Sequence, residues 1–335
     1  MDLLVAEPLE AEVLHWLQAR QDLHYAPRLA DDRKCLADAM AQARAVVLPA
    51  QVPVNSRMLA RAPSLRAIGR IVSGPENIDL DACARAGVAV LRSPEATAPA
   101  EAEFMLGALL TLLRPNPHAP HRIVGRELAH CTVGLVGMGP GARRLATVLQ
   151  TLGTQVRGYD PALHASDVQW ARWGVQPLGL RELFEQSDAV CLHLPIYSRY
   201  VGLLGERVLG ACKPGQVLAS VSPIELFDER VLAERLNSGR LGAAWLDCIG
   251  PDTLAPGQPL HGATGLQTTP RLGSYTREAR LRSAWGVARQ LHDLLRHTPS
   301  TVREGARHAA THPPLLRERV SPAAPAATAA SPASR

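Results

Sequence analysis

Lysine is nearly absent from this chain of 335 residues, and aromatic residues make up only 4% of it. The net charge of +5 comes from the C-terminal part, because the residues from Arg271 onward contain eleven arginines and four acids, a balance of +7. Residues 1–270 therefore sum to −2. A nucleic-acid-binding surface needs a basic stripe, often interleaved with aromatic side chains. The sequence has no such stripe, so we expect no nucleic-acid partner.

Paired cysteines are also missing, since none of the six lies in a C-x-x-C motif. Scattered cysteines indicate reduced thiols in a protein core, and they argue against disulfides or a zinc site. We therefore predict a cytoplasmic protein without a metal ion. The six positions are Cys35, Cys83, Cys131, Cys191, Cys212 and Cys248.

Long apolar runs are absent as well. The longest, from Phe104 to Leu113, is far shorter than the roughly 20 residues that a membrane helix needs. Met1 and Asp2 lead directly into the strand-like segment Leu3 to Val5, and this beginning does not have the pattern of a signal peptide. We expect no membrane partner.

A glycine-rich turn is the most informative motif that is present. An apolar strand pattern, Val133 to Val136, leads into the turn, and a helical pattern, Arg144 to Leu152, follows it. This order is typical of the G-x-G-x-x-[GA] fingerprint of a dinucleotide-binding βαβ unit. The turn consists of Gly137, Met138, Gly139, Pro140, Gly141 and Ala142.

Each small residue of the turn has a separate physical task. Gly137 permits the tight turn, Gly139 leaves space for a pyrophosphate, and Ala142 allows close packing of helix and strand. The pyrophosphate would bind to unpaired N–H groups at the positive end of the helix. Pro140 is compatible with the first helical turn, where an N–H has no partner to lose.

An acid ends the next predicted strand, as the fingerprint requires. That strand is Gln155 to Asp160, and Asp160 lies 23 residues after Gly137. A carboxylate at this position accepts hydrogen bonds from ribose hydroxyls and disfavours a 2′-phosphate, so the motif predicts NAD as cofactor rather than NADP. The alternative is a plain βαβ turn in which Asp160 and Pro161 are ordinary turn residues.

Strand and helix patterns alternate through most of the chain, which predicts parallel α/β architecture. Before residue 100, strands are expected at Asp2–Val5, Ala45–Leu48, Leu65–Ile71 and Val88–Leu91, and helices at Leu9–Ala19, Asp31–Gln42, Asn55–Arg61 and Asp79–Ala86. An apolar helix, Ala100–Leu113, leads into a second, doubly wound unit. Its further strands are expected near Ala189–Leu194, Gln216–Val221, Ala243–Asp247 and Leu266–Thr269, with helices at Asp228–Asn237 and about Thr276–Arg296.

The C-terminal tail differs in composition from the rest of the chain. After Thr298 and Pro299 it becomes rich in proline, alanine and serine. Such a segment buries too little apolar surface to offset its loss of conformational entropy. We predict that residues 301–335 are disordered.

Several further motifs give the chain a family resemblance over roughly residues 1–300. They are Arg70 with Glu76-Asn77-Ile78-Asp79, Ser93-Pro94 with Ala102-Glu103, His193-Leu194-Pro195, Gly202-Leu203-Leu204, Lys213-Pro214-Gly215, Asp228-Glu229, Ser238-Gly239, Leu246-Asp247, Thr269-Pro270 and Gly273. Together with the glycine turn they resemble the D-isomer-specific 2-hydroxyacid dehydrogenases, the group that includes phosphoglycerate dehydrogenase and hydroxypyruvate reductase.

The resemblance implies two Rossmann-like, doubly wound α/β domains. A flavodoxin-like substrate domain would comprise residues 1–97 and 285–300, with the NAD-binding domain, residues 98–284, inserted. The resemblance also implies a cleft between the domains, a small 2-oxo or 2-hydroxy acid as substrate, and a homodimer built partly on the helix near residues 100–113.

Three further residues are assigned to the cofactor site by this resemblance. His193 and Pro195 would lie on a strand-end loop near the cofactor. Asp247 would lie at the end of the predicted strand Ala243–Asp247. For His193, an ordinary turn histidine before a structural proline is an open alternative.

The family's catalytic arginine is missing. The family uses an Arg, a His and a Glu to hold the substrate carboxylate, move a proton and orient the base. Asp228 aligns the segment after the strand Gln216–Val221, and the Arg position then holds Pro223, which offers neither a charge nor a donor. Glu225, in the same loop, is a possible substitute acid/base.

The other two catalytic positions are also altered. The His position holds Arg271, which cannot act as a base. The Glu position holds Asp252, a carboxylate one methylene shorter. We hypothesise that Arg271, alone or paired with Asp252, is a relocated anion anchor. The alternatives are a surface or interdomain arginine and an ordinary loop acid.

The substrate loop departs from the family as well. It reads Ile71-Val72-Ser73-Gly74-Pro75, with one glycine and a proline that lacks a donor. Pro49 stands where members that use phosphoglycerate often carry an arginine, so a phosphorylated substrate is less favoured. Two functions remain open: an NAD-dependent 2-hydroxyacid oxidoreductase with an altered active site, and a catalytically silent NAD(H)-binding regulatory or interaction protein.

Overall fold

The computed structural model describes residues 1–71, 77–114, 124–247 and 249–297. The predicted disordered tail, residues 301–335, and positions 72–76 of the predicted substrate loop lie outside the described residues. Among the described helices, none combines the length and apolarity needed to cross a bilayer. The described residues also contain no group of three or more His, Cys, Asp or Glu side chains suited to hold a metal ion.

The first sheet consists of five parallel strands in the order β2-β1-β3-β4-β5. Short apolar strands alternate with helices, as the sequence pattern predicts. The strands are β1 (Leu3–Val5), β2 (Leu23–Tyr25), β3 (Ala45–Val47), β4 (Ala67–Gly69) and β5 (Ala89–Leu91). The helices before the second sheet are α1 (Ala11–Gln18), α2 (Arg33–Ala41), α3 (Ser56–Ala60), α4 (Leu80–Arg85) and α5 (Pro94–Leu112).

The second sheet has seven parallel strands in the order β12-β11-β10-β9-β6-β7-β8. Its strands are β6 (Thr132–Val136), β7 (Gln155–Tyr159), β8 (Gln176–Pro177), β9 (Ala189–Leu192), β10 (Gln216–Ser220), β11 (Leu241–Leu246) and β12 (Leu266–Thr268). The helices are α6 (Pro140–Thr151), α7 (Val168–Trp173), α8 (Leu180–Gln186), α9 (Glu206–Leu209), α10 (Glu229–Asn237) and α11 (Arg277–His297). Both sheets have the Rossmann-like α/β arrangement that the sequence analysis predicts.

Both faces of each sheet are buried, which explains the continuous apolar runs in the strands. In β6, Val133 and Leu135 pack against the layer that contains α5 and α6, whereas Val136 packs against the layer of α8 and α10. In the first sheet, α11 covers one face, where Val287 and Leu291 pack against the strands. The last helix of the described chain therefore lies on the first sheet.

Three elements differ from the sequence expectation. β2 and β8 are not predicted, because they are short edge strands, three and two residues long, without a buried apolar run. The interdomain helix α5 begins at Pro94 rather than Ala100, since it continues through Pro99 despite the missing N–H. Helix α6 begins at Pro140, directly after Gly139, as expected of a proline in the first helical turn. The domain boundaries near residues 97 and 285 remain predictions.

Candidate active site

The glycine turn lies at the carboxyl end of β6, where the strand order of the second sheet reverses between β6 and β9. Gly137 has φ +90° and donates its N–H to Tyr159 O at 2.7 Å. A Cβ here would lie 3.0 Å from the carbonyl carbon of His193. Gly139 caps α6, and a Cβ there would have no atom within 4 Å. This open cradle at a helix N-terminus fits a pyrophosphate.

The other two small residues of the turn face the protein. Ala142 is fully buried in the core beneath α6. A Cβ on Gly141 would lie 2.3 Å from Oε1 of Glu101, a residue of α5. Gly141 therefore serves a close approach of the two helices, a role that the sequence did not indicate.

Asp160 lies next to the glycine turn. Its Oδ2 accepts a hydrogen bond from the Met138 N–H at 2.7 Å, and its Oδ1 accepts one from the Ala162 N–H at 2.8 Å. The turn and the acid at the end of β7 are thus held together, as a dinucleotide-binding unit requires.

His193 follows β9 and forms a pair that the sequence analysis missed. Its Nδ1 donates to Oε1 of Glu101 at 2.6 Å, and the two side chains are 1% and 23% exposed. The Nε2 atom of His193 is buried without a hydrogen-bond partner. Pro195, two residues on, is exposed. Glu101 is an acid on the buried side of the apolar helix α5. An acid in such a position is the sequence signal that could have identified it.

Asp247 organises the loop that contains Arg271. Its carboxylate accepts hydrogen bonds from the Leu272 N–H and the Gly273 N–H, both at 2.7 Å, and from the Thr269 hydroxyl at 2.6 Å. Burial raises the pKa of Asp247 above its ordinary value, and these donors partly oppose that rise. Both carboxylate oxygens are therefore engaged by the chain itself.

Arg271 is exposed and has φ +62°, a conformation in which residues other than glycine are uncommon. Its N–H donates to the Asp247 carbonyl, which fixes its position at the carboxyl edge of the sheet. Asp252 is exposed on the 3-10 helix Pro251–Leu254. The hypothesised pairing of Asp252 with Arg271 stays a prediction.

The segment that holds the family's arginine position is apolar. Pro223 is buried and precedes the 3-10 helix Ile224–Leu226. Glu225 is exposed, and its carbonyl accepts the Gly202 N–H at 2.9 Å. Neither residue brings a positive charge to the edge of the sheet.

The first sheet contributes a buried arginine. The guanidinium of Arg70 donates to the carbonyls of Leu48, Pro49 and Val52. Its side chain is fully buried. This cation stabilises the turn after β3.

Comparison with known proteins agrees with this geometry. The family model "D-isomer specific 2-hydroxyacid dehydrogenase, NAD binding domain" matches residues 110–273. An (S)-sulfolactate dehydrogenase of Chromohalobacter salexigens is 33% identical over 294 residues, which cover 85% of this chain and 95% of that protein. The chain belongs to the D-isomer-specific 2-hydroxyacid dehydrogenase family. NAD is its cofactor, as this family's NAD-binding domain indicates.

Other members of the 2-hydroxyacid dehydrogenase family match over less of their own length or with lower identity. A D-3-phosphoglycerate dehydrogenase of Mycobacterium tuberculosis is 31% identical over 267 residues, 77% of this chain but 50% of that protein. The chain thus spans about half the length of the phosphoglycerate dehydrogenases that it matches.

Solved structures share the fold. A glyoxylate reductase from Paecilomyes thermophila superposes with a TM-score of 0.77 at 20% identity, and covers 89% of this chain and 96% of its own. A D-lactate dehydrogenase from Aquifex aeolicus, complexed with NAD and lactic acid, has a TM-score of 0.72 at 19% identity, and covers 88% of this chain and 94% of its own.

Proposed function

We propose that this chain is an NAD-dependent oxidoreductase that interconverts a small 2-oxo acid and the corresponding 2-hydroxy acid through an altered active site. The observation that carries the proposal is Arg271, whose backbone is held by Asp247 at the strand ends of the cofactor domain. A guanidinium pairs with a carboxylate through two parallel hydrogen bonds. Arg271 thereby supplies the substrate anchor that Pro223 cannot.

The cofactor site is assigned to the same edge of the sheet. We infer that Gly137, Gly139 and Pro140 form the pyrophosphate cradle, because Gly139 leaves open space at the start of α6, while Gly141 and Ala142 support it by close packing behind the turn. Asp160 lies beside this cradle and binds the adenosine ribose in our proposal. In this proposal Asp247 does not contact the cofactor but holds the loop 269–273 in position by its hydrogen bonds. The loop of His193 and Pro195 borders the crevice.

A substrate with a second acidic group is the proposed class. The relative that matches along 95% of its length is named a sulfolactate dehydrogenase. A sulfonate carries one negative charge, whereas a phosphate carries nearly two at neutral pH. Arg70, which is already bonded to three carbonyls, leaves no evident second cation for a phosphate in the described residues around Pro49.

We further propose that the chain forms a homodimer through α5 and resides in the cytoplasm. Leu110 of α5 is 42% exposed, and a large apolar side chain on this helix favours contact with a second copy. The cysteines other than Cys248 are free thiols, and burial raises the pKa of Cys212 to about 12. Such inert thiols suit a reducing compartment.

Purified protein with NADH and a panel of 2-oxo acids tests the proposed reaction. We expect oxidation of NADH with sulfopyruvate, the member of the panel that has a second acidic group, and slower or no oxidation with glyoxylate, pyruvate and hydroxypyruvate. Arg271→Gln should raise KM by about tenfold or more, because it removes a charge-assisted hydrogen bond to the carboxylate. Arg271→Lys, the matched control, retains the charge and should lose less. In the same assay, Asp160→Asn should weaken the preference for NADH over NADPH.

The second candidate is a catalytically silent NAD(H)-binding protein, and two residues favour it. Pro223 has no charge, and Arg271 cannot accept a proton. Tight binding of NADH without oxidation across the whole panel would establish this candidate and contradict the enzyme. If Arg271→Gln leaves KM unchanged, only the proposal that Arg271 binds the substrate carboxylate is contradicted.

A further inference from the structure

The buried pair of Glu101 and His193 has a chemistry that the proposed function still needs. Reduction of a 2-oxo acid requires a proton donor, and the family's histidine position holds Arg271. A carboxylate and an imidazole that share a hydrogen bond hold each other in a fixed orientation. His193 and Glu101 form such a pair, with 2.6 Å between Nδ1 and Oε1.

The pair borders the crevice assigned to the cofactor. A Cβ on Gly137 would lie 3.0 Å from the carbonyl carbon of His193, and a Cβ on Gly141 would lie 2.3 Å from Oε1 of Glu101. The carboxylate is therefore in contact with the first turn of α6, between the ends of β6 and β9. Dinucleotides bind at this reversal of strand order.

The helix that contains Glu101 also contacts the loop of Arg271. A Cβ on Gly273, two residues after Arg271, would lie 3.2 Å from Cδ1 of Phe104. Phe104 and Glu101 are three residues apart on α5, so they share a face of the helix. The same face of α5 therefore contacts both the glycine turn and the loop of Arg271.

Within the described part of the chain, two polar atoms of the pair have no hydrogen-bond partner. The side chain of His193 is almost fully buried, and no described residue forms a hydrogen bond with its Nε2. Among the described residues, Oε2 of Glu101 also accepts no hydrogen bond, while its side chain remains partly exposed. Glu101 is thus the member that can reach a substrate, and His193 is the member behind it.

We propose that Glu101 is the proton donor and acceptor of this active site and that His193 is its positioning residue. The inference rests on the proposed function. When bound, NADH supplies the hydride. Glu101 would give one proton to the carbonyl oxygen of the 2-oxo acid and would recover it from solvent, because its side chain is partly exposed. His193 would hold Oε1 of Glu101 in place through Nδ1. In the reverse direction, Glu101 would accept the hydroxyl proton.

Isosteric variants of Glu101 test the proposal. Glu101→Gln keeps the size of the side chain but cannot transfer a proton, so kcat should fall about 100- to 10,000-fold. KM for the 2-oxo acid and the NADH dissociation constant, measured by fluorescence, should change less than about threefold. Glu103→Gln, an exposed position on the same helix, is the matched control and should retain kcat.

Two further readouts distinguish proton transfer from packing. Acetate should restore part of the turnover in Glu101→Ala, but it should not restore it in Arg271→Gln. Binding of oxamate to the complex with NADH should take up protons in the wild type and not in Glu101→Gln, as calorimetry in two buffers would show. His193→Gln should lower kcat and the proton uptake while leaving the NADH dissociation constant nearly unchanged.

The outcomes separate the two proposals. If the wild type oxidises NADH but Glu101→Gln keeps its kcat and its proton uptake, the pair only packs α5 against the glycine turn, and the proton-transfer role is wrong. If the wild type fails with every 2-oxo acid, the proposed function fails and the role of Glu101 fails with it.

Discussion

Glu7 is a carboxyl group that folding removes from water at the end of β1. It is 9% exposed, and its Oε1 has no hydrogen-bond partner. Burial raises its pKa from 4.5 to about 7, although Arg280 and Arg70 oppose that rise. The folded chain therefore retains a proton at Glu7 under conditions in which the unfolded chain has lost it.

Because of this single residue, the free energy of unfolding should decrease as the pH rises. Below pH 4.5, Glu7 is protonated in both states and contributes no difference. Between pH 4.5 and about 7 the unfolded state loses its proton first, so the free energy of unfolding decreases, by about 3 kcal/mol in total at roughly 1.4 kcal/mol per pH unit. Glu7→Gln, which stays neutral, should be more stable than the wild type at pH 8 by up to that amount.

Chemical denaturation at pH 4.5 and pH 8 would measure this effect. Glu12→Gln, an exposed position on α1, is the control and should leave the pH dependence unchanged. If Glu7→Gln shows the same decrease between the two pH values as the wild type, Glu7 does not account for it.

The sequence predicts single residues well where their role depends on near neighbours. The glycine turn and Asp160 lie within 23 residues of each other, and the strand before and the helix after them can be recognised locally. The Glu101–His193 pair joins residues 92 positions apart and depends on how α5 packs against the turn. No local pattern contains that information. Arg271 and Asp252 were aligned with family positions, but alignment did not establish a contact between them.

At the scale of an element, Gly139 in the glycine turn can be changed with little effect on folding but with a large effect on ligand binding. Gly139 has φ −62° and open space around its missing side chain. Gly139→Ala should therefore change the free energy of unfolding by no more than about 1 kcal/mol. The added methyl group would occupy the approach of the pyrophosphate, so the dissociation constant for NADH should rise at least about tenfold.

Gly179→Ala is a matched control for this prediction. Gly179 caps α8 with φ −66°, and a Cβ there would also meet no atom within 4 Å. Fluorescence titration and thermal unfolding of both variants would separate binding from folding. If Gly139→Ala and the wild type bind NADH with equal affinity, the proposed pyrophosphate site at Gly139 is wrong.

Elements with strong apolar patterns could be predicted from the sequence, whereas elements defined by their neighbours could not. β6, β9 and β10 are buried on both faces and contain continuous apolar residues. β2 is instead a strand because β1 pairs with it, and its side chains are partly or fully exposed. α5 extends six residues before its predicted start, since Pro94 occupies the first helical position, which proline favours.

At the scale of the whole molecule, the proposed homodimer leads to a direct measurement. Light scattering should give a mass near twice the chain mass of 36.0 kDa. Leu110→Glu should shift the protein towards a monomer, because a charge buried in the interface would be unpaired. Val168→Glu, at a side chain of α7 that is 66% exposed, is the control and should leave the mass unchanged. A single-chain mass for the wild type would contradict the dimer.

The two parallel sheets could be predicted because each βα unit has a recognisable local pattern and the family motifs follow in order. The amphipathic pattern of α11 predicts a helix with one buried face, but it does not say which sheet that face covers. Only the family resemblance groups residues 285–300 with residues 1–97. Val287 and Leu291 do pack on the first sheet.

This position of α11 has a consequence for folding during synthesis. Helix α1 contributes Val13 and Leu17 to the apolar cluster on one face of the first sheet, but this cluster is complete only after Val287 and Leu291 of α11 have left the ribosome. The strands of the second sheet, residues 132–268, are all synthesised before that moment. The second sheet can therefore complete its core before the first, in reverse of the usual N-terminal-first order of domain folding.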